Sequence, residues 1–401
     1  MVAVGGVPAR MSASSTVLPE KATHQQTRTF NQQLVLRALH DHSPLSRADL
    51  ARLTGLTRTS VGDLVGTLID AGLIEEVGRG RSSGGKTPIL LRVAPDGRHL
   101  IGLDLGEAQF SGAVVNLNGD ILRSIHLPLD GRDGEAALEL VFELVDALRA
   151  DDRSHLLGIG VGAPGIIDTR TGTVRWSVLN WAELRLGPEL EERYGMPVAV
   201  ANDSHAAALA ELTFFRRPRP NNLIVIRVGR GVGAGIILNG QLFQGDGYGA
   251  GEFGHISMTG AEAPCRCGKE GCLETITSMR ALVDAAGTLE PSITDEGGLV
   301  AAFLADVTGI RRMVLDAARQ LGVAVGWLIG VLNVQHVLLV GPVAKFGGDW
   351  LDEVRRHARA SVLPLLARDT QIEFGHVHDD VVVLGASALL MEQQLGLALV
   401  R

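Results

Sequence analysis

The sequence predicts an α/β protein with a small N-terminal winged helix-turn-helix head and a two-lobed body. Three observations predict it. Two short helical patterns flank a glycine turn and are followed by a basic, glycine-rich hairpin between residues 46 and 91. Two strand–glycine turn–strand units, each ending in Asn-Gly, recur well over a hundred residues apart, which points to duplicated lobes. All three cysteines sit in one eight-residue window shortly after a histidine, in the second of those units.

The chain has 401 residues, 46% of them hydrophobic, enough for two or three domains with their own cores. No unbroken run of eighteen apolar residues occurs, so no transmembrane helix is expected. Ser12, Ser14, Ser15 and Thr16 interrupt any apolar stretch near the N-terminus, which argues against a secretory signal. An odd number of cysteines in one cluster suits a reducing cytoplasm and a bound metal better than a disulfide framework. The net charge of −8 is uneven. Residues 28–92 carry nine basic and six acidic side chains, and residues 1–27 add two basic and one acidic, so the remainder carries −12. A basic head on an acidic body places any polyanion at the head.

Residues 1–27 mix Gly, Ser, Thr, Pro and Gln without periodicity and read as a flexible arm. The head spans 28–94. From Asn31, the positions Leu34, Val35, Ala38 and Leu39 form one apolar face of a helix. Ser46 with Asp49 three residues later is a capping-box start for a short second helix through Leu50 and Leu53. Thr54-Gly55-Leu56-Thr57 is the turn, and Arg58–Ile69 is the third helix, with Val61, Leu64, Val65 and Leu68 on one face. Residues 77–88 form the wing tip and Ile89-Leu90-Leu91 the returning strand. Arg58, Thr59 and Ser60 open the third helix, where such helices reach base edges. Arg79, Arg81 and Lys86 on the wing are placed to neutralise phosphates. The head is therefore expected to bind operator DNA.

The body, 95–401, begins after Pro95-Asp96-Gly97. His99–Gly106 is a strand ending in Asp104-x-Gly106, and Ala113–Leu117 turns through Asn118-Gly119 into Ile121-Leu122. Gly134–Arg149 is an amphipathic helix, and Leu157–Gly165 a strand running into a turn. Asn202-Asp203 precedes the alanine-rich helix Ser204–Leu212. Leu223–Val228 leads into Gly229-Arg230-Gly231-Val232-Gly233-Ala234-Gly235, then Ile236–Leu238 and Asn239-Gly240. A long apolar helix covers about Arg311–Asn333. Its glycines at 322, 326 and 330 permit close packing, and charges crowd its start, which argues against a membrane span. Val337–Val340 is a buried strand followed by Gly341-Pro342.

His255, Cys265, Cys267 and Cys272 offer one imidazole and three thiols, the donor set of a closed tetrahedral zinc shell. Gly268 and Gly271 let the loop fold tightly around it. Zinc here would be structural, and it would fix the backbone beside Glu252 and Glu274.

Glu252-Phe253-Gly254-His255 followed by Cys265-x-Cys267-Gly268-x-x-Gly271-Cys272-Leu273-Glu274 resembles the signature of the ROK family of bacterial sugar kinases and sugar-responsive repressors. The resemblance runs from about Asn31 to near the C-terminus. It implies an actin-like ATPase (ribonuclease H-like) body whose two lobes close on a ligand. It also implies a sugar pocket of Asn202, Asp203, Glu252, His255 and Glu274, with Asn180 as a further contact. Such groups both donate to and accept from hydroxyls, as a sugar requires. Asp203 matches the family's general base and would take a proton from the sugar hydroxyl if the chain were a kinase.

Three departures speak against a kinase. The first phosphate turn, Asp-x-Gly-Gly-Thr in the family's kinases, is Asp104-Leu105-Gly106-Glu107-Ala108 here; Glu107 sets a carboxylate beside the intended phosphate. Gly-Thr-Gly becomes Gly229-Arg230-Gly231. The third turn carries Pro342, which removes an amide donor. ATP and magnesium are therefore not expected. The expectation is a cytoplasmic, dimeric or tetrameric repressor that answers to a sugar or sugar phosphate and touches no membrane; the competing reading is an ATP-dependent sugar kinase with an accessory DNA-binding head.

Overall fold

The chain in this computed structural model is described over residues 24–81, 87–150, 155–215, 219–375 and 380–397. Most of the N-terminal arm, and Lys86 on the wing, lie outside the described residues. The head consists of α1 (His24–His42), β1 (Leu45–Ser46), α2 (Arg47–Thr54), α3 (Arg58–Asp70), β2 (Ile74–Arg79) and β3 (Ile89–Val93). Helix α1 starts seven residues earlier than the apolar spacing indicates. Residues 26–30 are exposed, so that first stretch presents no buried face from which periodicity could reveal it. Helix α2 is capped as its sequence predicts: Ser46 Oγ accepts the Asp49 N–H at 3.2 Å, and the Asp49 carboxylate accepts the Ser46 N–H at 3.1 Å. Gly55 ends it in the left-handed region at φ 70°. Val61, Leu64, Val65 and Leu68 are the buried face of α3. The three strands form a sheet in the order β1-β3-β2, with β2 and β3 antiparallel as the wing.

The first lobe contains β4 (His99–Leu105), β5 (Gln109–Asn116), β6 (Ile121–Pro128), α4 (Gly134–Arg149) and β7 (Leu156–Ala163). After them come a small sheet of β8 (Ile166–Asp168), β9 (Thr173–Trp176) and β10 (Ala182–Leu184), then α5 (Leu186–Tyr194), β11 (Val198–Asn202) and α6 (Asp203–Ala210). The second lobe contains β12 (Leu223–Val228), β13 (Val232–Leu238), β14 (Gln241–Leu242), α7 (Glu274–Thr277), α8 (Met279–Leu289), α9 (Glu296–Leu304) and α10 (Thr308–Leu332). It continues through β15 (His336–Val340), α11 (Gly348–Ala360), α12 (Pro364–Asp369) and β16 (Gln371–Phe374), and the chain closes with α13 (Val381–Leu395). The main sheets run β11-β7-β4-β5-β6 and β14-β13-β12-β15-β16. In each, the first strand pairs antiparallel with the second and parallel with the fourth, and the fifth lies parallel outside the fourth. The duplication inferred from the glycine turns is thus a duplication of topology.

Among the described residues, α10 is long and apolar enough to cross a membrane by length and composition, although no eighteen-residue apolar run occurs; half of its most apolar window is buried within the protein. Leu321, Val325 and Ile329 belong to the second lobe's core. A Cβ added at Gly322 or Gly326 would lie 2.5 Å from Val354 O or 2.8 Å from Ala358 O, so glycine is what lets α10 seat against α11. Helix α13 returns to the first lobe: at Gly385 an added Cβ would meet Ala206 O at 1.7 Å, so α13 and α6 pack backbone to backbone.

Candidate functional site

A cleft of about 710 Å³ opens between the lobes, within the range of small-molecule sites. Its first-lobe wall is the β4–β5 turn with Asp104, Gly106, Glu107 and Ala108, together with Asn202 and Asp203 where β11 meets α6. Its second-lobe wall is the Gly229–Gly233 turn with Glu252, His255, Arg266 and Glu274. Pro342 lines it as well, so the three turns that depart from the kinase pattern meet in one place.

Asn202 is the N-cap of α6. Its Oδ1 accepts the N–H groups of Ser204 at 2.8 Å and His205 at 3.2 Å, and its Nδ2 donates to Gly165 O at 2.9 Å. Asp203 Oδ1 accepts the Ser204 N–H at 2.7 Å, while Oδ2 accepts Arg227 Nη1 at 2.9 Å. Burial, reinforced by Asp203 and Glu274, pushes the Glu252 carboxyl up to about 7. Glu274 is buried and committed on both oxygens: Oε2 accepts the Val232 N–H at 3.1 Å, and Oε1 faces Arg280 at 3.5 Å and Arg266 at 3.7 Å. It braces the glycine turn of the second lobe through the Val232 N–H. Asn180 is not among the residues lining this cleft. It sits in the left-handed region at φ 57° beside a separate cavity against α4, and its Nδ2 donates to Asp133.

His255 faces two ways. Nδ1 lies 3.5 Å from Cys265 Sγ, and Nε2 lies 3.8 Å from Glu252 Oε2. The donor atoms of His255, Cys265, Cys267 and Cys272 all fall within 4.8 Å of one another. Tetrahedral zinc with Zn–S near 2.3 Å and Zn–N near 2.05 Å spaces its ligands about 3.8 Å (S–S) and about 3.6 Å (N–S) apart. Cys267 Sγ to Cys272 Sγ is 3.7 Å and Cys265 Sγ to His255 Nδ1 is 3.5 Å, so these four residues fit a closed structural shell. Burial, with the other two thiols, pushes the Cys272 thiol up to about 12. The loop is tied by Cys265 N–H to Lys269 O at 2.7 Å and Lys269 Nζ to His255 O at 2.6 Å.

Two residues escape the sequence reading. Arg227 stands in the apolar strand Leu223–Val228, and a guanidinium there needs buried partners; besides Asp203, it faces Asp104. Arg266, between two cysteines, reaches across the cleft to Glu107 with Nη1–Oε2 at 2.7 Å and Nη2–Oε1 at 2.8 Å. Burial would raise the Glu107 carboxyl, but Arg266, with Arg280 and Arg230 adding to it, holds it below the usual range. Burial raises Asp104 to about 6, with Asp203 and Asp380 adding to it against Arg227.

On the head, Arg58 and Thr59 are exposed at the start of α3. Thr57 caps that helix by accepting the Ser60 N–H at 3.1 Å, and its hydroxyl lies 2.9 Å from Ser60 Oγ, so Ser60 is partly engaged in the cap. Arg79 and Arg81 are exposed at the wing.

The ROK family model matches residues 100–393, and a MarR family model matches residues 27–82. The chain belongs to the ROK family. A putative xylose repressor from Caldicellulosiruptor sp. (strain Rt8B.4) is 31% identical over 392 residues, covering 93% of this chain and 98% of that one. A glucokinase from Halalkalibacterium halodurans is 32% identical over 319 residues, 74% of this chain and 96% of that one. Among solved structures, a ROK family transcriptional regulator described as a homolog of the E. coli MLC protein superposes with a TM-score of 0.80 at 26% identity, covering 93% of this chain and 98% of that one. This ROK chain therefore carries a MarR-like winged head on a kinase-like body. The glucokinase matches a shorter part of it than the repressor does.

Proposed function

We propose that this ROK protein is a sugar-responsive, DNA-binding transcriptional repressor of carbohydrate genes. The observation that carries the reading is the Glu107–Arg266 pair: a family phosphate turn is filled by a carboxylate clamped from the opposite lobe, on a chain that also bears a winged head. Arg58, Thr59 and Ser60 address bases and phosphates, and Arg79, Arg81 and Lys86 the backbone beside them. The cleft binds a sugar through Asn202, Asp203, Glu252 and His255, with Glu274 bracing the glycine turn; Asn180, which donates to Asp133 beside α4, lies outside it. His255, Cys265, Cys267 and Cys272 hold a structural zinc that fixes the loop carrying Arg266. The protein works in the cytoplasm as a homodimer or higher oligomer, so that two heads read two half-sites. Asp203 accepts a sugar hydroxyl and keeps its contact to Arg227; no phosphoryl transfer is part of this reading.

The test is fluorescence anisotropy of the full chain with DNA from upstream of its own coding sequence, at about 50 and about 200 mM salt, with and without a panel of sugars led by pentoses and hexoses. Expected are salt-dependent binding and a shift of the midpoint by one sugar. Absence of DNA binding at low salt overturns the reading, as does ADP release with a sugar that Asp203→Asn abolishes.

A further inference from the structure

The Glu107 carboxylate lies where the two glycine turns face each other. An ideal Cβ at Gly231 would be 4.0 Å from Glu107 Oε1 and 2.9 Å from Glu274 Oε2, so two carboxylates, with Arg266 against both, occupy the gap between the turns. Backbone amides at such turn tips are what recognise a phosphate. Among the described residues, seven carboxylates and three guanidinium groups line the cleft. Each guanidinium already faces a carboxylate: Arg227 with Asp203 at 2.9 Å, Arg266 with Glu107 at 2.7 Å and Arg230 with Glu107 at 3.8 Å. An incoming phosphate would have to displace a carboxylate already held by Arg266 and faced by Arg230.

We infer that Glu107 is a specificity-determining residue, an internal anion that makes the cleft select an unphosphorylated sugar over its phosphate ester. This rests on the sugar-binding reading above and narrows it. A neutral sugar presents hydroxyls that both donate and accept, so carboxylates attract it, whereas a dianionic ester meets an excess of like charge in a partly buried site. Glu107 acts in two ways: it fills the phosphate position, and it ties the first lobe's turn to the zinc-loop segment of the second lobe.

Isothermal titration of the full-length protein against a panel of monosaccharides and their phosphate esters tests this, with inorganic phosphate as a competitor. Expected is one neutral sugar that binds at least about 100-fold tighter than its ester, a gap that Glu107→Gln narrows at least about tenfold. Inorganic phosphate competes with the sugar only in the variant. Glu107→Ala gives the same comparison should the glutamine variant not fold. A wild-type protein that binds the ester as tightly as the sugar, or a gap unchanged in both variants, overturns the inference and leaves the sugar-binding reading standing. Failure of every sugar and ester to bind overturns both.

Discussion

Asn202→Ala removes two things at once, and the structure sets the size of each. The amide oxygen caps α6 by accepting the Ser204 and Ser204-adjacent His205 N–H groups, a loss of about 1 kcal/mol. The amide nitrogen satisfies Gly165 O at 2.9 Å, and leaving that carbonyl unpaired costs about 1 kcal/mol more. The expected sum is about 2 kcal/mol, read as a fall of about 4 °C in the body's unfolding transition for a domain of this size. Scanning calorimetry of the ligand-free full chain measures it. Asn202→Ser separates the two parts. Serine is also a good cap but is too short to reach Gly165, so it should recover about half the loss. Both variants lack the amide that faces the cleft and should lose sugar affinity alike, which distinguishes the stability effect from the binding one. The reasoning is refuted if the alanine variant unfolds within about 1 °C of the wild type, or if serine costs as much as alanine.

Four further outcomes follow from the same geometry. Metal analysis of the purified chain should return one zinc per chain, and Cys272→Ser should lose it and lower the melting temperature; a full-strength fold with no metal at all contradicts the ligand assignment. Arg58→Ala should weaken operator binding at every salt concentration and reduce the slope of log affinity against log salt by about 1, measured by anisotropy. Asp104 has a folded pKa of about 6 against 3.8 unfolded, so the unfolded state ionises first and the stability this group contributes falls as pH rises from about 4 to about 6, by up to about 3 kcal/mol. Relative to Asp104→Asn, the wild type should lose ground across that window and then run parallel above it in urea titrations; a pH-independent difference contradicts this. Arg37→Ala, which removes the contacts to Gly396 O and Glu392, should leave sugar binding intact while shrinking the sugar's effect on DNA affinity.

What is legible in the sequence is local or repeated. The Ser46–Asp49 box spans four residues and needs no partner from elsewhere. The glycines of α10 recur at helical spacing, so a packing seam was visible even though α11, which fills it, was not. The two glycine turns repeat the same order of strands, so the lobes were visible as a pair. What escaped depends on distant chain segments. Nothing near Glu107 indicates that Arg266, 159 residues on, will clamp it. The start of α1 escaped because its exposed residues carry no apolar period. The motif places Glu274 in the pocket, and it does line the cleft, yet both its oxygens are engaged by Val232 N–H, Arg266 and Arg280. Asn180 shows the limit of carrying a residue over by order in the sequence: a left-handed backbone turns its amide to Asp133 instead.

The cleft and the head are connected by packed helices rather than by a tether. Asn202 and Asp203 form the N-terminal end of α6, and α6 lies against α13 with no side chain between them at Gly385. The C-terminal end of α13 holds the head: Arg37 of α1 donates to Gly396 O at 2.5 and 3.0 Å and faces Glu392 at 3.5 Å. Arg219, at the start of the second lobe, adds Nη2 to His40 at 2.9 Å and Nη1 to Asp41 at 3.3 Å. Val35, Leu36 and Leu39 of α1 share one continuous core with Leu390, Leu395 and Leu397 and with α6. A close-packed seam of this kind shifts as a unit instead of deforming gradually. A sugar that repositioned the N-terminal end of α6 would therefore change the footing of α1, and α1 packs against the helix bearing Arg58. Coupling of this sort needs a difference in sugar affinity between the two arrangements. The Glu107–Arg266 clamp spans the same cleft, so a change in lobe closure would alter its geometry as well.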